Sequence, residues 1–216
     1  MTEYRLHCFA QSGHSYKAAL MLALCDADWE PVFVDFFNGG ARSPEFLAIN
    51  EMGECPVLVH GDVTLSQSGV MLDYLSKAFG KFGPATEEEH REILRWTLWE
   101  NHKLNSFQGI YRFMLNFAPE GARNEAVNGF LKGRVMGAFK TLDRHLADRD
   151  WIAADRPTTA DVACAGYVFY PREEYRWADD EIFANIEAWK ERVEALPGWQ
   201  APYDLMPGYP LGTGAG

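Results

Sequence analysis

A strand pattern that runs directly into a helix with no polar side constrains the fold of this chain most. Arg5–Phe9 is typical of a strand, and Ala18–Cys25 contains eight consecutive apolar residues. Such a helix must be covered on several sides, which places it inside a domain. Residues 12–15, Ser-Gly-His-Ser, fall on its first turn, where backbone N–H groups lack intrahelical partners and the helix dipole is positive. We therefore predict an anion-binding turn at this point.

The first 80 residues alternate strand and helix patterns. A second strand is predicted at Trp29–Asp35, a short helix at Pro44–Ile49, a hairpin over residues 56–65 and a helix at Ser66–Phe79. Two strands joined through a helix are parallel, whereas the strands of a hairpin are antiparallel. These constraints predict a four-stranded mixed sheet with helices on both faces.

Helical periodicity dominates beyond a Gly- and Pro-containing linker at residues 81–86. One long helix is predicted to begin after Thr86 and to extend to Phe117, a second covers about 121–146, and a later one about 180–195. Thr158 and Asp161 have the spacing of a capping box at the start of another helix. We therefore predict an α/β domain at 1–80 and an all-helical domain with a C-terminal tail at 87–216.

Composition argues against several classes of partner. The formal net charge of −11 disfavours nucleic acid and anionic membranes. No apolar run approaches the roughly 20 residues of a membrane helix, and no apolar leader is evident. The four cysteines show no paired spacing, so we expect reduced thiols, no metal site and a cytoplasmic protein.

Four motifs, taken in order, resemble those of the glutathione S-transferase family. They are the Ser12 turn, N-E-M-G-E-C-P-V-L at Asn50–Leu58, Q-S-G-V-M-L-D-Y-L at Gln67–Leu75, and D-R-P-T-T-A-D-V at Asp155–Val162. The resemblance covers nearly the whole chain and is to bacterial members of the serine type, similar to the theta and zeta classes. It implies a thioredoxin-like first domain, glutathione as co-substrate and a homodimer.

The resemblance implies that Ser12 donates a hydrogen bond to the glutathione thiolate, with Ser15 and His14 as alternatives. A free thiol has a pKa of about 8.5, so only a few per cent is ionised at neutral pH. Lowering that pKa by roughly two units corresponds to about 2.7 kcal/mol, which a charge-assisted hydrogen bond and the helix dipole can supply. A role as N-cap alone would also explain a serine at this position.

The remaining glutathione contacts are implied by the second and third motifs. The Cys55–Pro56 bond is expected to be cis, with the Cys55 backbone pairing with the cysteine backbone of glutathione and the Cys55 side chain packed inward. Gln67 and Ser68 are expected to bind the γ-glutamyl end, since Ser68 opens a helix.

One residue departs from the family pattern. Glu54 stands where many members place Lys or Gln near the glycyl carboxylate, and an acid cannot attract that group. Either Lys17, Arg42 or His60 is expected to take its place, or the glycyl end is expected to be loosely held; Lys17 also lies close to the Ser12 turn in sequence.

The helical half is expected to supply the site for the second substrate, through Asn105, Tyr111 and Arg112. The predicted reaction is attack of the thiolate on a small hydrophobic electrophile. Glutathione-dependent disulfide or peroxide reduction, and a non-catalytic module that binds glutathione or another ligand, are the alternatives. A zeta-type isomerase is less favoured, because Gly13 and His14 replace the second serine and the cysteine of that class's Ser-Ser-Cys run.

Overall fold

A computed structural model describes residues 2–178 and 183–208. The chain divides into unit 1, Met1–Gly83 with Leu196–Gly216, and unit 2, Pro84–Ala195. The boundary after Gly83 falls within the linker predicted at 81–86. Within the described residues, no helix has the length and apolar character needed to cross a membrane.

Unit 1 is built on a four-stranded sheet with the strand order β2-β1-β3-β4. Strand β1 (Tyr4–Cys8) pairs in parallel with β2 (Trp29–Phe33) and antiparallel with β3 (Val57–His60). Strand β4 (Val63–Ser66) pairs antiparallel with β3. The mixed sheet predicted from the order of the elements is confirmed.

Three helices flank this sheet: α1 (Gly13–Leu24), α2 (Pro44–Ile49) and α3 (Ser68–Phe79). The side chains of Ala18–Leu22 in α1 have no exposed surface, which explains why this helix has no polar side. On the opposite face of the sheet, Phe46 of α2 packs against Val57 and Val34. Helices on both faces are thus confirmed.

The C-terminal segment packs on α1 in unit 1. It contains a short helix, α9 (Pro202–Leu205), and Tyr16 donates a hydrogen bond of 2.8 Å from its hydroxyl to the Gln200 carbonyl. The sequence predicts this segment as the tail of the helical domain, whereas the structure places it in unit 1. The difference has a physical reason, because the apolar surface of α1 needs cover that the sheet and α3 do not complete.

Unit 2 consists of α4 (Glu87–Trp99), α5 (Ser106–Asn116), α6 (Glu125–His145), α7 (Thr159–Ala165) and α8 (Ala184–Glu194). A π-helical segment, Glu100–Asn105, joins α4 to α5, so the long helix predicted from Thr86 to Phe117 contains a change of pitch. The helix predicted from about residue 180 begins at Ala184 within the described residues, and 179–182 lie outside them.

The predicted capping box is confirmed at the start of α7. The Asp161 carboxylate accepts hydrogen bonds from the Thr158 amide at 2.8 Å, the Ile152 amide at 3.0 Å and the Trp189 indole N–H at 3.0 Å. Burial raises the pKa of Asp161, and these donors oppose that shift. Asp161 therefore ties α7 to α8 and to the preceding loop.

Candidate functional site

Three segments meet at one edge of the unit 1 sheet. His7 near the end of β1 pairs with Val57 at the start of β3, and Val57 pairs with Ser66 at the end of β4. The turn after β1, the residues before β3 and the turn after β4 therefore lie side by side. They carry Ser12, Cys55–Pro56 and Gln67–Ser68, the candidate binding residues of three separate sequence motifs.

Ser12 is the N-cap of α1. Its Oγ accepts a hydrogen bond of 3.1 Å from the Ser15 amide, and only 5% of the residue is exposed. A serine hydroxyl has one donor and two acceptor positions, and the cap uses an acceptor position. Capping and donation to an anion at the helix N-terminus are therefore compatible.

The two alternatives to Ser12 lie in different surroundings. Ser15 has no exposed surface, and its Oγ has no hydrogen-bond partner among the described residues. His14 places Nδ1 3.3 Å from Nζ of Lys17, and burial together with the charge of Lys17 lowers the pKa of His14 to about 3. His14 is therefore neutral at physiological pH, and of the two serines Ser12 alone has exposed surface.

The Cys55–Pro56 peptide bond is cis, as expected. The side chain of Cys55 packs against the cluster formed by Val34, Phe46 and Val57, which agrees with the predicted inward orientation. Burial raises the pKa of Cys55 to about 12 and likewise that of Cys8 to about 12. These two thiols are therefore protonated at neutral pH, which disfavours a nucleophilic role for either of them.

Gln67 occupies a strained backbone position directly before α3. Its φ of 67° and ψ of 112° lie outside the regions that non-glycine residues commonly adopt. Its side-chain amide donates to a Glu54 carboxylate oxygen at 3.1 Å and lies 3.4 Å from the Met52 sulfur. Ser68, the first residue of α3, is buried beside it. The pairing of Glu54 with Gln67 was not predicted, although Glu54 stood out as a departure from the family pattern.

The three candidate partners for the glycyl carboxylate of glutathione differ in how exposed their side chains are. Lys17 is fully buried, and His60 lies at the far end of β3, where Nδ1 is 2.7 Å from the Tyr74 hydroxyl. Arg42 is exposed, with a guanidinium nitrogen 3.4 Å from the Met52 carbonyl. Arg42 is therefore the one of the three that combines an accessible cation with proximity to the Met52–Glu54 loop. We predicted a direct contact between Lys17 and glutathione, but Lys17 has no exposed surface that could make it.

Two segments of the chain match models of known protein domains. Residues 4–77 match the model of the glutathione S-transferase N-terminal domain, and residues 104–197 match that of the glutathione S-transferase C-terminal domain. The chain belongs to the glutathione S-transferase family.

The proteins similar to this glutathione S-transferase family member are named for different reactions. A solved structure described as a possible glutathione S-transferase from Rhodopseudomonas palustris is 32% identical, covers 93% of this chain and 98% of that one, and superimposes with a TM-score of 0.84. Maleylacetoacetate isomerase of Rhizobium meliloti (strain 1021) is 29% identical over 181 residues, 81% of this chain and 83% of the relative. Disulfide-bond oxidoreductase YfcG of Escherichia coli (strain K12) is 24% identical over 197 residues, 88% of this chain and 89% of the relative. Family membership alone therefore leaves the reaction open.

In this glutathione S-transferase family member, the residues predicted to line the second-substrate site are buried. Asn105 donates to the Glu100 carboxylate and, at 3.0 Å, to the Ala163 carbonyl. Arg112 forms a buried ion pair with Glu174, and Tyr111 is only 4% exposed. These groups hold the helices of unit 2 together, so we do not carry them into the proposed acceptor site. Sequence spacing on a helix could not separate them from cleft residues.

An aromatic cluster that was not predicted from the sequence lies beside the Ser12 turn. The rings of Phe9 and Phe36 stack with centroids 4.7 Å apart, and Phe37 meets both edge-on at 5.8 Å. The Phe9 carbonyl accepts a hydrogen bond of 3.0 Å from the Ser12 amide, which links the cluster to the turn. Phe36 and Phe37 are 39% and 46% exposed. Two adjacent phenylalanines in a loop were the signal that could have revealed it.

Within the described residues, no group of three or more histidine, cysteine, aspartate or glutamate side chains could hold a metal ion.

Proposed function

We propose that this protein is a glutathione transferase that binds glutathione at the sheet edge of unit 1 and holds its thiolate against Ser12. The observation that carries the proposal is the Ser12 cap, in which Oγ accepts from the Ser15 amide while its O–H is left to donate. The N-terminus of α1 adds the positive end of the helix dipole at the same place. A hydrogen bond to an ionised sulfur stabilises the thiolate over the thiol.

The tripeptide would be held along the three segments that meet at this edge. We assign the γ-glutamyl end to Gln67 and to Ser68 at the start of α3, where helix N–H groups favour a carboxylate. The backbone of Cys55 would pair with the cysteine residue of glutathione, and Arg42 would hold the glycyl carboxylate. The exposed position of Arg42 close to the Met52 carbonyl supports this last assignment.

A small hydrophobic electrophile is the proposed second substrate. The partly exposed rings of Phe36 and Phe37, linked through Phe9 to the Ser12 turn, support an apolar and preferably aromatic acceptor. By family membership we also propose a cytoplasmic homodimer, with glutathione consumed as co-substrate.

Disulfide reduction is the second candidate function, and the turn itself gives a reason to consider it. Ser12 and Ser15 occupy an S-x-x-S arrangement, and Cys8 and Cys55 have pKa values raised to about 12. Any reduction would therefore need two glutathione molecules. The first thiolate attacks the disulfide and expels one thiolate, and the second attacks the mixed disulfide to give oxidised glutathione and the second thiol.

Two measurements on the full chain test the proposal. Calorimetric titration with glutathione should give a saturable heat, whereas its absence would refute glutathione binding. Initial rates with a chlorinated nitroaromatic and with a small mixed disulfide should then favour the aromatic acceptor. A faster mixed-disulfide reaction would replace the transferase assignment by the reductase one.

A further inference from the structure

The C-terminal segment reaches the turn that carries Ser12. The Pro207 carbonyl accepts a hydrogen bond of 2.7 Å from the Ala10 amide. Gly208 follows with φ of 133°, and a Cβ added there would lie 2.9 Å from Cβ of Ala10 and 3.0 Å from Oε1 of Gln11. Leu196–Gly208, which we call the strap, therefore ends against the residues between β1 and Ser12.

The strap contacts α1 near both of its ends before it reaches this turn. At the C-terminal end of α1, Gly198 lies so close to the chain that an added Cβ would be 2.4 Å from the Ala23 carbonyl oxygen. Near the N-terminal end of α1, the Gln200 carbonyl accepts the hydrogen bond from Tyr16. Leu205 and Met206 are then buried. Pro207 therefore arrives at Ala10 from a segment held at several points.

The turn that the strap meets is the one that sets the position of the Ser12 hydroxyl. The Ser12 amide donates to the Phe9 carbonyl at 3.0 Å, so Phe9–Ser12 form a tight turn with Ala10 at its second position. The Ala10 side chain is fully buried, and its amide finds its partner in Pro207. A buried amide without a partner costs roughly 1–3 kcal/mol, so loss of the strap would favour a different turn.

We propose that Pro207 and Gly208 are positioning residues, which fix the Phe9–Ser12 turn from outside and thereby set the acidity of the bound glutathione thiol. The inference rests on the proposed function of Ser12 and extends it to the far end of the chain. Hydrogen bonds weaken steeply with misalignment, and a displacement of about 1 Å can lower a rate by roughly 10²-fold. A small shift of the turn would therefore raise the thiol pKa without removing any group that touches glutathione.

Gly208→Ala is the variant that tests this proposal in the full chain. Its Cβ would push against Ala10, so we expect the pKa of the bound thiol to rise by ~1 unit, a tenfold fall in the ratio of thiolate to thiol. Thiolate absorbance in the ultraviolet during a pH titration measures this pKa. Gly61→Ala is the matched control, since Gly61 also has a positive φ, 55°, in unit 1, but an added Cβ meets nothing within 4 Å. Equal thiol pKa values in the two variants would overturn the proposal.

A double variant separates positioning from general destabilisation. Ala10→Gly removes the Cβ that the new side chain would meet, so Ala10→Gly combined with Gly208→Ala should recover most of the thiolate signal. No recovery, with Ala10→Gly alone behaving like wild type, would argue against the proposed contact.

Amide hydrogen exchange tests the strap independently of glutathione. The Ala10 amide should be protected in the wild-type chain and should exchange at least tenfold faster in Gly208→Ala, and an unprotected Ala10 amide in the wild type would refute the strap. A wild-type thiol pKa near 8.5 in the bound state would instead refute the role of Ser12. The failure of the strap and the failure of the proposed function therefore give different results.

Discussion

Nδ1 of His14 lies 3.3 Å from Nζ of Lys17, and Lys17 has no exposed surface. A lysine ammonium can only donate, so Nδ1 of His14 accepts and the ring carries its proton on Nε2. The first turn of α1 therefore contains a neutral imidazole beside a buried cation, one turn from Ser12.

Protein stability should fall as the pH drops below about 6.5, in part because of His14. Its pKa in the folded state is lowered to about 3, so only the unfolded chain takes up this proton between the two values. The contribution of His14 is fully present above pH 6.5 and is lost towards pH 3. In His14→Gln, the fall of the melting temperature between pH 7.5 and pH 5 should be smaller than in wild type. His90→Gln, at an exposed position of α4, should leave the fall unchanged, and an equal effect of both variants would contradict the assignment.

Ser12→Ala should reduce conjugation by ~10²-fold or more, because it removes the proposed donor to the thiolate. It should also cost about 1 kcal/mol of stability, because the cap on the Ser15 amide is lost. Ser15→Ala is the matched control. Its hydroxyl is buried without a partner among the described residues, so the variant should keep its activity and equal or exceed wild-type stability. Reversed effects on activity would move the catalytic role to Ser15.

Arg42→Gln should raise the KM for glutathione by about tenfold, with little change in kcat, because a charge-assisted contact to the glycyl carboxylate is made equally in ground and transition states. Glu54→Gln should lower that KM by removing a negative charge from the same loop. Arg5→Gln, an exposed arginine on β1, serves as the control for net charge. The assignment fails when Arg5→Gln and Arg42→Gln change the KM equally.

Phe36→Ala should raise the KM for an aromatic electrophile by several-fold, because it removes the ring stacked on Phe9. The KM for glutathione should stay close to wild type. Phe33→Ala removes a phenylalanine that is even more exposed, at 55%, on the neighbouring strand. If both variants weaken the aromatic substrate to the same extent, the Phe9–Phe36–Phe37 cluster is not its site.

Asp161→Ala should lower the free energy of unfolding by about 3 kcal/mol or more. It leaves the buried amides of Thr158 and Ile152 and the indole of Trp189 without their acceptor. Asp73→Ala, on exposed α3 surface, breaks the pair with Lys77 and should cost less than 1 kcal/mol. Chemical unfolding followed by tryptophan fluorescence measures the stability of both variants. Similar losses of unfolding free energy would contradict the role of Asp161 in linking α7 to α8 and the preceding loop.

Sequence patterns predicted the elements of unit 1 and their pairing well, because each depends on local signals. The apolar run of α1, the proline before β3 and the Gly61-Asp62 turn each act through a few neighbouring residues. The same holds for the Thr158–Asp161 capping box, whose geometry is contained within four residues.

The features that were missed depend on contacts distant in sequence. Asn105 and Arg112 look like cleft residues on a helix, but their partners Ala163 and Glu174 lie about sixty positions away. Similarly, no local signal connects Gly208 to Ala10. Burial of a polar side chain is decided by such partners, and a single sequence does not contain their positions.

The path of the chain gives the strap a further significance. Unit 2 is inserted between two parts of unit 1, so the segment that covers α1 is synthesised after unit 2, whereas α1 is synthesised before it. On a ribosome, the strands and the apolar helix of unit 1 emerge before the segment that covers α1. The inserted helices of unit 2 can fold independently in the meantime. With the strap in its proposed role, the Ser12 turn acquires its final shape only after synthesis has passed residue 208, so glutathione binding at this turn is expected to follow the synthesis of unit 2.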